Sequence, residues 1–309
     1  MNRTTAIARG IVGTILIAAA LAVGSVAGGE GLPVEAHIEA DQLVVTVDGE
    51  EFAAYRFAGD QKYPFMYPVN GPASGESVTT WDTEPFPHHS SLYFACDRVN
   101  NANFWQPFDN LETGQIRSQG AAIVEAPEDR VVFTDEALWA VPGDEPMIQD
   151  ERRITVTAPA ENQRFIDWEI TLTALEDVRV EQNNHSLFSA RMTPALTVEE
   201  GGTLIDAEGN RGEEETFGEQ ASWAAYYGTR DGVTEGLAIL QHPDNPDYPA
   251  PWFTRDYGFF SPTPVYWLEE GYAELPEGES LMLRYRVVIF AGDHEEADIA
   301  GLWADYAGE

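Results

Sequence analysis

Residues 166–173 read IDWEITLT, and every second residue in this run is apolar. Successive side chains of an extended strand point to opposite faces of the sheet, so the apolar side chains from Ile166 to Leu172 would share one face. The residues between them, from Asp167 to Thr173, are polar and suit a face turned toward water. The run therefore predicts a β-strand with one buried face and does not fit a helix.

Similar runs recur along the chain and are joined by short polar turns. Asp48-Gly49 separates the runs at residues 43–47 and 52–57, and an Asp-Gly pair in that setting is a strong hairpin signal. Further hairpins are expected across residues 127–129, 159–162 and 231–232. Many strands with short connections predict an all-β fold, a large antiparallel β-sandwich, rather than alternating β-α-β units.

One helix is predicted at the C-terminus. Asp293 and Glu296 have the spacing of a capping box, in which each side chain bonds the other residue's backbone N–H. Ile299, Leu302 and Tyr306 then fall on one helical face. We expect this helix to close one end of the sandwich.

The first residues have the composition of an export signal. Arg3 and Arg9 precede an apolar run at residues 11–23, and Ser25-Val26-Ala27 offers a small-x-small cleavage pattern. The sequence thus predicts a signal peptide at residues 1–27, one β-sandwich domain at residues 28–309, and a periplasmic or secreted product. An uncleaved N-terminal anchor is the alternative.

The charge balance excludes several classes of function. Lys and Arg total 17 against 53 Asp and Glu, which gives a net charge of −36. Nucleic-acid binding and attachment to an anionic membrane both need a basic surface, so neither partner is expected once the signal is removed. Excess carboxylate with a single Lys suits a salty environment, although a compositional bias of the lineage would look the same. The sequence does not predict an oligomeric state.

Three stretches, at residues 62–95, 183–192 and 240–258, combine His, Arg, Asn, Pro and aromatic residues in a way that strand formation does not explain. Loops of this composition on a rigid β scaffold are typical of ligand sites. The candidate catalytic residues are His88, His89, His185 and His242. The candidate substrate-binding residues are Lys62, Tyr67, Arg191, Asn245, Trp252 and Arg255.

These stretches resemble a bacterial family of exported β-proteins that carries the label "methane oxygenase PmoA". The matching residues are Lys62-Tyr63-Pro64, 87–95 (PHHSSLYFA), Asn103-Phe104-Trp105, Leu138-Trp139, 223–228 (WAAYYG), 242–246 (HPDNP) and 252–258 (WFTRDYG). The resemblance spans residues 34–292, with two departures: Tyr63 separates Lys62 from Pro64, and Ser90 stands where the family has Arg. It implies a sandwich of the galactose-mutarotase type, a scaffold that commonly handles sugars.

We therefore expect an exported protein that carries out acid–base chemistry on a sugar or glycoside, as an epimerase, lyase or hydrolase, because His can give or take a proton near neutral pH. A saccharide is the expected partner. The alternatives are a non-catalytic sugar-binding module and a His-ligated copper oxygenase, although a membrane-bound methane-oxidising subunit would need several apolar spans.

No cofactor is predicted, since the chain has neither a GxGxxG nor a Walker motif. A metal site is not predicted either, because no HxH or HExxH occurs. Cys96 follows an apolar run and is expected to be a buried, inert thiol. At least three of the side chains His88, His89, His185, His242 and Arg255 should line one cleft, with Trp252 or Tyr67 as its wall, and the histidines should titrate between about pH 5 and 8.

Overall fold

The computed structural model describes residues 31–107 and 109–309, so the predicted signal peptide at residues 1–27 lies outside the described residues. The described strands are β1 (Val34–Glu39), β2 (Gln42–Val47), β3 (Glu50–Arg56), β4 (Phe65–Val69), β5 (Leu92–Cys96), β6 (Gln115–Ser118), β7 (Ala122–Glu125), β8 (Arg130–Ala140), β9 (Ile148–Ala160), β10 (Gln163–Ala174), β11 (Val178–Glu181), β12 (Ser186–Arg191), β13 (Thr203–Asp206), β14 (Trp223–Arg230), β15 (Val233–Gln241), β16 (Trp252–Thr254), β17 (Phe259–Pro262), β18 (Tyr272–Leu275) and β19 (Ser280–Ala291). The described α-helices are α1 (Gly212–Thr216) and α2 (Ile299–Tyr306).

The strands form two large antiparallel sheets. The eight-stranded sheet has the order β1-β2-β3-β4-β5-β12-β17-β16. The nine-stranded sheet has the order β13-β14-β15-β19-β10-β9-β8-β6, and β7 also pairs with β8. Strands β11 and β18 form a separate pair. The predicted all-β antiparallel sandwich is confirmed.

The Asp-Gly turns close hairpins as predicted. Asp48 and Gly49 have φ angles of 52° and 81°, and Asp231 and Gly232 have φ angles of 52° and 82°. Two successive left-handed residues give a turn whose twist matches that of the flanking strands, and Asp and Gly adopt this conformation more readily than other residues. These turns join β2 to β3 and β14 to β15.

The alternation in β10 places its apolar residues between the two sheets. Trp168 is buried, and its ring centre lies 6.1 Å from that of Tyr55 on β3 and 5.4 Å from that of Phe188 on β12. Asp167 and Glu169 point to the opposite side, away from the eight-stranded sheet. The predicted buried face of this strand is therefore the face that builds the core.

An ion pair is buried inside this apolar interior. Arg152 on β9 donates from Nε and Nη2 to the carboxylate of Asp150, with a shortest distance of 2.7 Å, and both side chains are fully sheltered. Arg152 Nη1 also donates to the Pro64 carbonyl and to Tyr55 Oη, and Tyr55 Oη donates to Asp135 Oδ2 at 2.7 Å. The network therefore links the two sheets by hydrogen bonds as well as by packing.

The C-terminal helix differs from its prediction in both start and position. The bonds of the capping box form between Asp293 and Glu296, but Asp298 then adopts a left-handed φ of 51°, which interrupts a helix, so α2 begins at Ile299 with Asp298 as its N-cap. Ile299 and Tyr306 pack on outward residues of the nine-stranded sheet, such as Phe290. The helix thus covers an outer face of the sandwich and does not close its end. In the described part of the chain, neither helix has the length and apolar character needed to cross a membrane.

The buried ion pair gives a stability prediction. Changing Arg152 to Met leaves the Asp150 carboxylate buried without its partner, which should lower the free energy of unfolding by about 3–5 kcal/mol. Arg153→Met removes the next cation along β9, whose side chain is 43% exposed, and should change it by less than about 1 kcal/mol. Urea unfolding of both variants measures the difference, and equal losses would contradict a structural role for the buried pair.

Candidate functional site

The outward face of the eight-stranded sheet forms the floor of the candidate site. Phe94 on β5 and Phe188 on β12 point into the sandwich, where they contact Trp139 and Trp168. Their neighbours Tyr93 and Ser189 are paired across the two strands and point outward. Arg191 and Phe259, which are paired between β12 and β17, extend this outward face toward the sheet edge.

Three of the candidate histidines meet above this floor. His88 and His89 end the loop that enters β5, and His185 immediately precedes β12. The ring centres of His88 and His89 lie 4.4 Å apart, and those of His88 and His185 lie 6.3 Å apart. We call His88, His89 and His185, together with Asp97, Trp105 and Arg191, the histidine site.

Asp97 follows β5 and forms the carboxylate partner of His185. Oδ2 of Asp97 lies 3.5 Å from Nδ1 of His185, and the two side chains are 16% and 24% exposed. Asn183 holds both residues: its Oδ1 accepts a hydrogen bond from the His185 backbone N–H, and its Nδ2 donates to the Asp97 carbonyl. With Nδ1 turned to Asp97, the Nε2 atom of His185 is left for a substrate.

Aromatic rings enclose the imidazoles. Trp105 stacks on His185 with ring centres 5.5 Å apart, and Phe259 stacks on His89 at 4.5 Å. Phe86 in turn stacks on Tyr257 at 4.6 Å. Large rings with few rotamers fix the imidazole orientations, as a catalytic or binding site requires.

Burial sets the protonation of two of the histidines. Desolvation, with a smaller contribution from the nearby His185, lowers the pKa of His88 to about 4. Desolvation also holds the pKa of His89 well below its usual range. Both imidazoles are therefore neutral at neutral pH, and the expected titration between pH 5 and 8 does not apply to them.

Lys62 lies beside the histidine site, but its ammonium group is bonded to the loop at residues 110–113. Its Nζ donates to the Asn110 carbonyl at 2.8 Å and to Thr113 Oγ1 at 2.7 Å, and the side chain is buried. Desolvation lowers the pKa of Lys62 to about 8, while the charge of Asp97 opposes that shift. Its neighbour Tyr63 donates to the His88 carbonyl, so this segment fixes both the loop at residues 110–113 and the loop that carries the histidines.

Several polar atoms at this surface are sheltered from water and lack a hydrogen-bond partner. Within residues 31–107 and 109–309, these include His89 Nδ1, Trp105 Nε1, Ser189 Oγ and Arg191 Nε. Buried polar groups are almost always paired in folded proteins. Their concentration at one place is the pattern expected where a ligand supplies the missing partners.

His242 and Asn245 do not belong to this site, which corrects their assignment as site residues, whereas His88, His89 and His185 are the three members of the predicted set that lie together. The His242 ring centre lies 5.1 Å from that of Tyr306 on α2, so His242 is on the outer side of the nine-stranded sheet. Asn245 is occupied by its bonds to the backbone of Arg284. Both residues follow the end of β15, and that strand belongs to the other sheet.

The prediction that Trp252 binds substrate and forms a wall of the site is also wrong. It is fully buried, and its Nε1 donates to the Ala221 carbonyl, so it belongs to the core and forms no wall. Arg255 pairs with Glu213 at 3.0 Å and lies over the Phe253 ring, next to Phe259 but without direct contact to the histidines. Tyr67 on β4 accepts a hydrogen bond from Arg56 at its carbonyl and contacts Trp81, and β4 is two strands away from β12, which follows His185.

Sequence reasoning missed three residues of this surface as site members. Trp105 and Tyr257 lie in motifs that carried the family resemblance, so a signal for them was present. Asp97 is one of 53 acidic residues, and only its position beside His185 distinguishes it.

The remaining predictions concern Cys96 and metal binding. Cys96 is buried, and desolvation raises the pKa of its thiol to about 12, which agrees with an inert thiol. Among the described residues, no group of three or more His, Cys, Asp or Glu side chains is arranged to hold a metal ion.

Comparison with known proteins identifies the family. The model of a family of unknown function, DUF6807, matches residues 42–304. The chain belongs to this family. No curated protein sequence matches the DUF6807 chain.

Solved structures similar to this DUF6807 protein include sugar-processing proteins. A proposed aldose 1-epimerase from Escherichia coli K12 has 12% sequence identity and a TM-score of 0.34, and the alignment covers 85% of this chain and 99% of that one. A proposed aldose 1-epimerase from Klebsiella pneumoniae has 8% identity and a TM-score of 0.43, with 89% and 88% covered. An α-galactosidase from Geobacillus stearothermophilus has 9% identity and a TM-score of 0.35, with 84% of this chain and 40% of that chain covered.

The lowered pKa of His88 predicts a pH dependence of stability. Between its ordinary value near 6.5 and about 4, the unfolded chain binds a proton that the folded chain does not, so stability falls as the pH falls through this window. His88→Gln removes this contribution and should reduce the loss of unfolding free energy between pH 7 and pH 4.5 by about 1 kcal/mol, a value discounted for the partial exposure of His88.

Urea unfolding at the two pH values measures this loss. His37→Gln changes an exposed histidine on β1 and serves as the matched control. Its unfolding free energy should depend on pH as that of the unchanged protein does. If His88→Gln shows the same loss as the unchanged protein, the neutral state of the buried imidazole is refuted.

Proposed function

We propose that this DUF6807 protein performs acid–base chemistry on a sugar or glycoside at the histidine site. The observation that carries the proposal is the His185–Asp97 pair, which is partly exposed, stacked on Trp105 and placed next to the neutral His88. An imidazole oriented by a carboxylate can give or take a proton at its other nitrogen, as a general acid or base must do.

The two accessible imidazoles have complementary roles in this proposal. His185, with Asp97 behind it, exchanges a proton with the reacting sugar through Nε2. His88 is neutral at neutral pH because of its lowered pKa, so it accepts or donates a hydrogen bond without carrying charge. The separation of 6.3 Å between their ring centres lets one bound sugar contact both.

This arrangement distinguishes the enzyme from its two alternatives. A sugar-binding module would need aromatic and amide side chains but no titratable pair, and the site holds such a pair. A copper oxygenase, which the resemblance to proteins labelled methane oxygenase suggests, would need three nitrogen atoms that converge on one metal ion. The described residues contain no such group.

The proposal is tested by variants of the pair. His185→Ala and Asp97→Asn should each lower turnover by about 10²–10⁴-fold with little effect on unfolding, because both side chains reach solvent. His242→Asn, on the opposite side of the sandwich, should retain full turnover. The assays are anomer exchange of reducing sugars by NMR, release of nitrophenol from aryl glycosides, and the ultraviolet absorbance of unsaturated products from polysaccharides. A protein that is inactive in every assay, or active without His185, would refute acid–base catalysis here.

Export belongs to the same proposal. Residues 1–27 would be removed, which gives a mature N-terminus near Gly28 and a periplasmic or secreted protein. Sequencing the N-terminus of protein recovered from a bacterial host tests this expectation. A membrane-bound product that retains residues 1–27 would favour the anchor.

A further inference from the structure

Arg191 is a buried cation that has no counter-ion in the part of the chain that the structure describes. Its side chain is 3% exposed, and its guanidinium lies over the Tyr257 ring at 4.4 Å. Nη1 donates to the Tyr257 carbonyl, whereas Nε is sheltered from water without an acceptor. Within the described ranges, Nη2 forms no hydrogen bond either. Among the described residues, no carboxylate forms an ion pair with Arg191, although the charge of Glu199 acts on its pKa. A buried ion of this kind is costly unless something pairs with it.

Other buried arginines of the same protein show what the free edge can bind. Arg152 uses Nε and Nη2 to hold the Asp150 carboxylate, and Arg286 uses the same two atoms to hold Asp167 at 2.6 and 2.9 Å. Arg164 has no carboxylate, but its Nη1 donates to three backbone carbonyls. Within the described residues, the Arg191 side chain donates a single hydrogen bond, from Nη1 to the Tyr257 carbonyl. The edge that grips a carboxylate in Arg152 and Arg286 is therefore empty in Arg191.

The empty edge belongs to the histidine site. Arg191 and Ser189 lie on the same outward face of β12, and the Ser189 hydroxyl is also unpaired within the described residues. His89 stacks between Phe259 and Phe86, and the charge of Arg191 contributes to the lowered pKa of His89. The unpaired atoms Arg191 Nε, Ser189 Oγ and His89 Nδ1 thus lie on the side of the sheet where we place the sugar.

We infer that Arg191 binds the carboxylate of an acidic sugar, so that the substrate of the histidine site is a uronate-containing saccharide. A carboxylate matches the planar Nε–Nη2 edge with two parallel hydrogen bonds. A protein with a net charge of −36 repels anionic ligands in general, so a buried, unpaired arginine at the site has to supply the local attraction. Arg191 Nε is sheltered and the Tyr257 ring lies against the guanidinium, so a bound carboxylate would have to displace that ring.

This inference rests on the proposed function for the position of the sugar, but its test does not require turnover. Binding is measured by calorimetry with short oligosaccharides of galacturonate, glucuronate, mannuronate and guluronate, and with the neutral oligosaccharides of galactose, glucose and mannose. At least one uronate should bind about tenfold or more tightly than its neutral counterpart. Arg191→Met should abolish this preference, and Arg191→Lys, which keeps the charge but not the planar edge, should retain only part of it.

Arg179→Met removes an exposed cation from β11, causes the same change of net charge and should leave the preference intact. A second readout separates a ligand-binding role from a structural one: Arg191→Met should unfold at a urea concentration no lower than that of the unchanged protein, whereas Arg152→Met should unfold at a clearly lower one. An Arg191→Met protein that unfolds as early as Arg152→Met would overturn the assignment of Arg191 as an unpaired binding residue.

The remaining outcomes are also decisive. Equal binding of uronates and neutral sugars, or no uronate binding at all, would overturn the inference. If acetate or sulfate binds as tightly as every uronate, the site takes a free anion and the assignment of an acidic sugar is wrong. Turnover of neutral sugars that depends on His185 would retain the proposed function without this inference. Uronate binding that depends on Arg191 without any turnover would support this inference and overturn the proposed function.

Discussion

The buried pair of Arg152 and Asp150 is the constraint on which both sheets and the histidine site depend. An arginine in the interior needs hydrogen-bond acceptors, and all three nitrogen atoms of Arg152 donate: to Asp150 on its own strand, to Tyr55 on the opposite sheet and to the Pro64 carbonyl. The two residues before Pro64 fix the loops of the site. Tyr63 donates a hydrogen bond to the His88 carbonyl, and Lys62 donates one to the Asn110 carbonyl in the loop after Trp105. The position of the loops that carry the histidine site is thus fixed by an interaction in the centre of the sandwich, where side chains have least freedom to move.

The two outer faces of the sandwich have different surroundings. On the nine-stranded sheet, α2 covers outward apolar residues, and Arg286 is paired with Asp167 and Glu309. On the eight-stranded sheet, loops cover the outward residues, and several polar atoms beneath them lack partners within the described residues. In the described part of the chain, the nine-stranded face also has one such atom, Arg284 Nε, which lies 3.8 Å from the Glu169 carboxylate, so the unpaired atoms are more numerous on the eight-stranded face. A face that leaves several polar groups unsatisfied loses stability and gains the capacity to bind. His242, although its sequence surroundings are similar to those of the other candidates, lies on the nine-stranded face.

Local sequence signals predicted the strands because period-two alternation and Asp-Gly turns act within a few residues. The run at 166–173 and the turns at Asp48 and Asp231 formed as predicted. The grouping of the site residues depends instead on pairings between distant strands, such as β5 with β12, which bring Asp97 next to His185. No local pattern contains that pairing, so the sequence did not distinguish Asp97 from the other carboxylates. For the same reason Trp252 and His242 were predicted to belong to a site that the structure places elsewhere. The predicted start of α2 was also wrong. The capping box of Asp293 and Glu296 forms, but the left-handed conformation of Asp298 prevents the helix from beginning before Ile299.

The electrostatics of the histidine site follow from its place in an acidic protein. A surface with excess carboxylate would ordinarily favour protonated histidines, yet desolvation, the largest effect on His88 and His89, lowers the pKa of both. The nearby cation of Arg191 acts on His89 in the same direction, because a second positive charge beside it is unfavourable. An anionic ligand on Arg191 would cancel that cation and make protonation of His89 less unfavourable. In the proposed function, substrate charge and histidine protonation would therefore be coupled: a carboxylate-bearing sugar would supply both a partner for the arginine and a field that helps an adjacent imidazole to accept a proton.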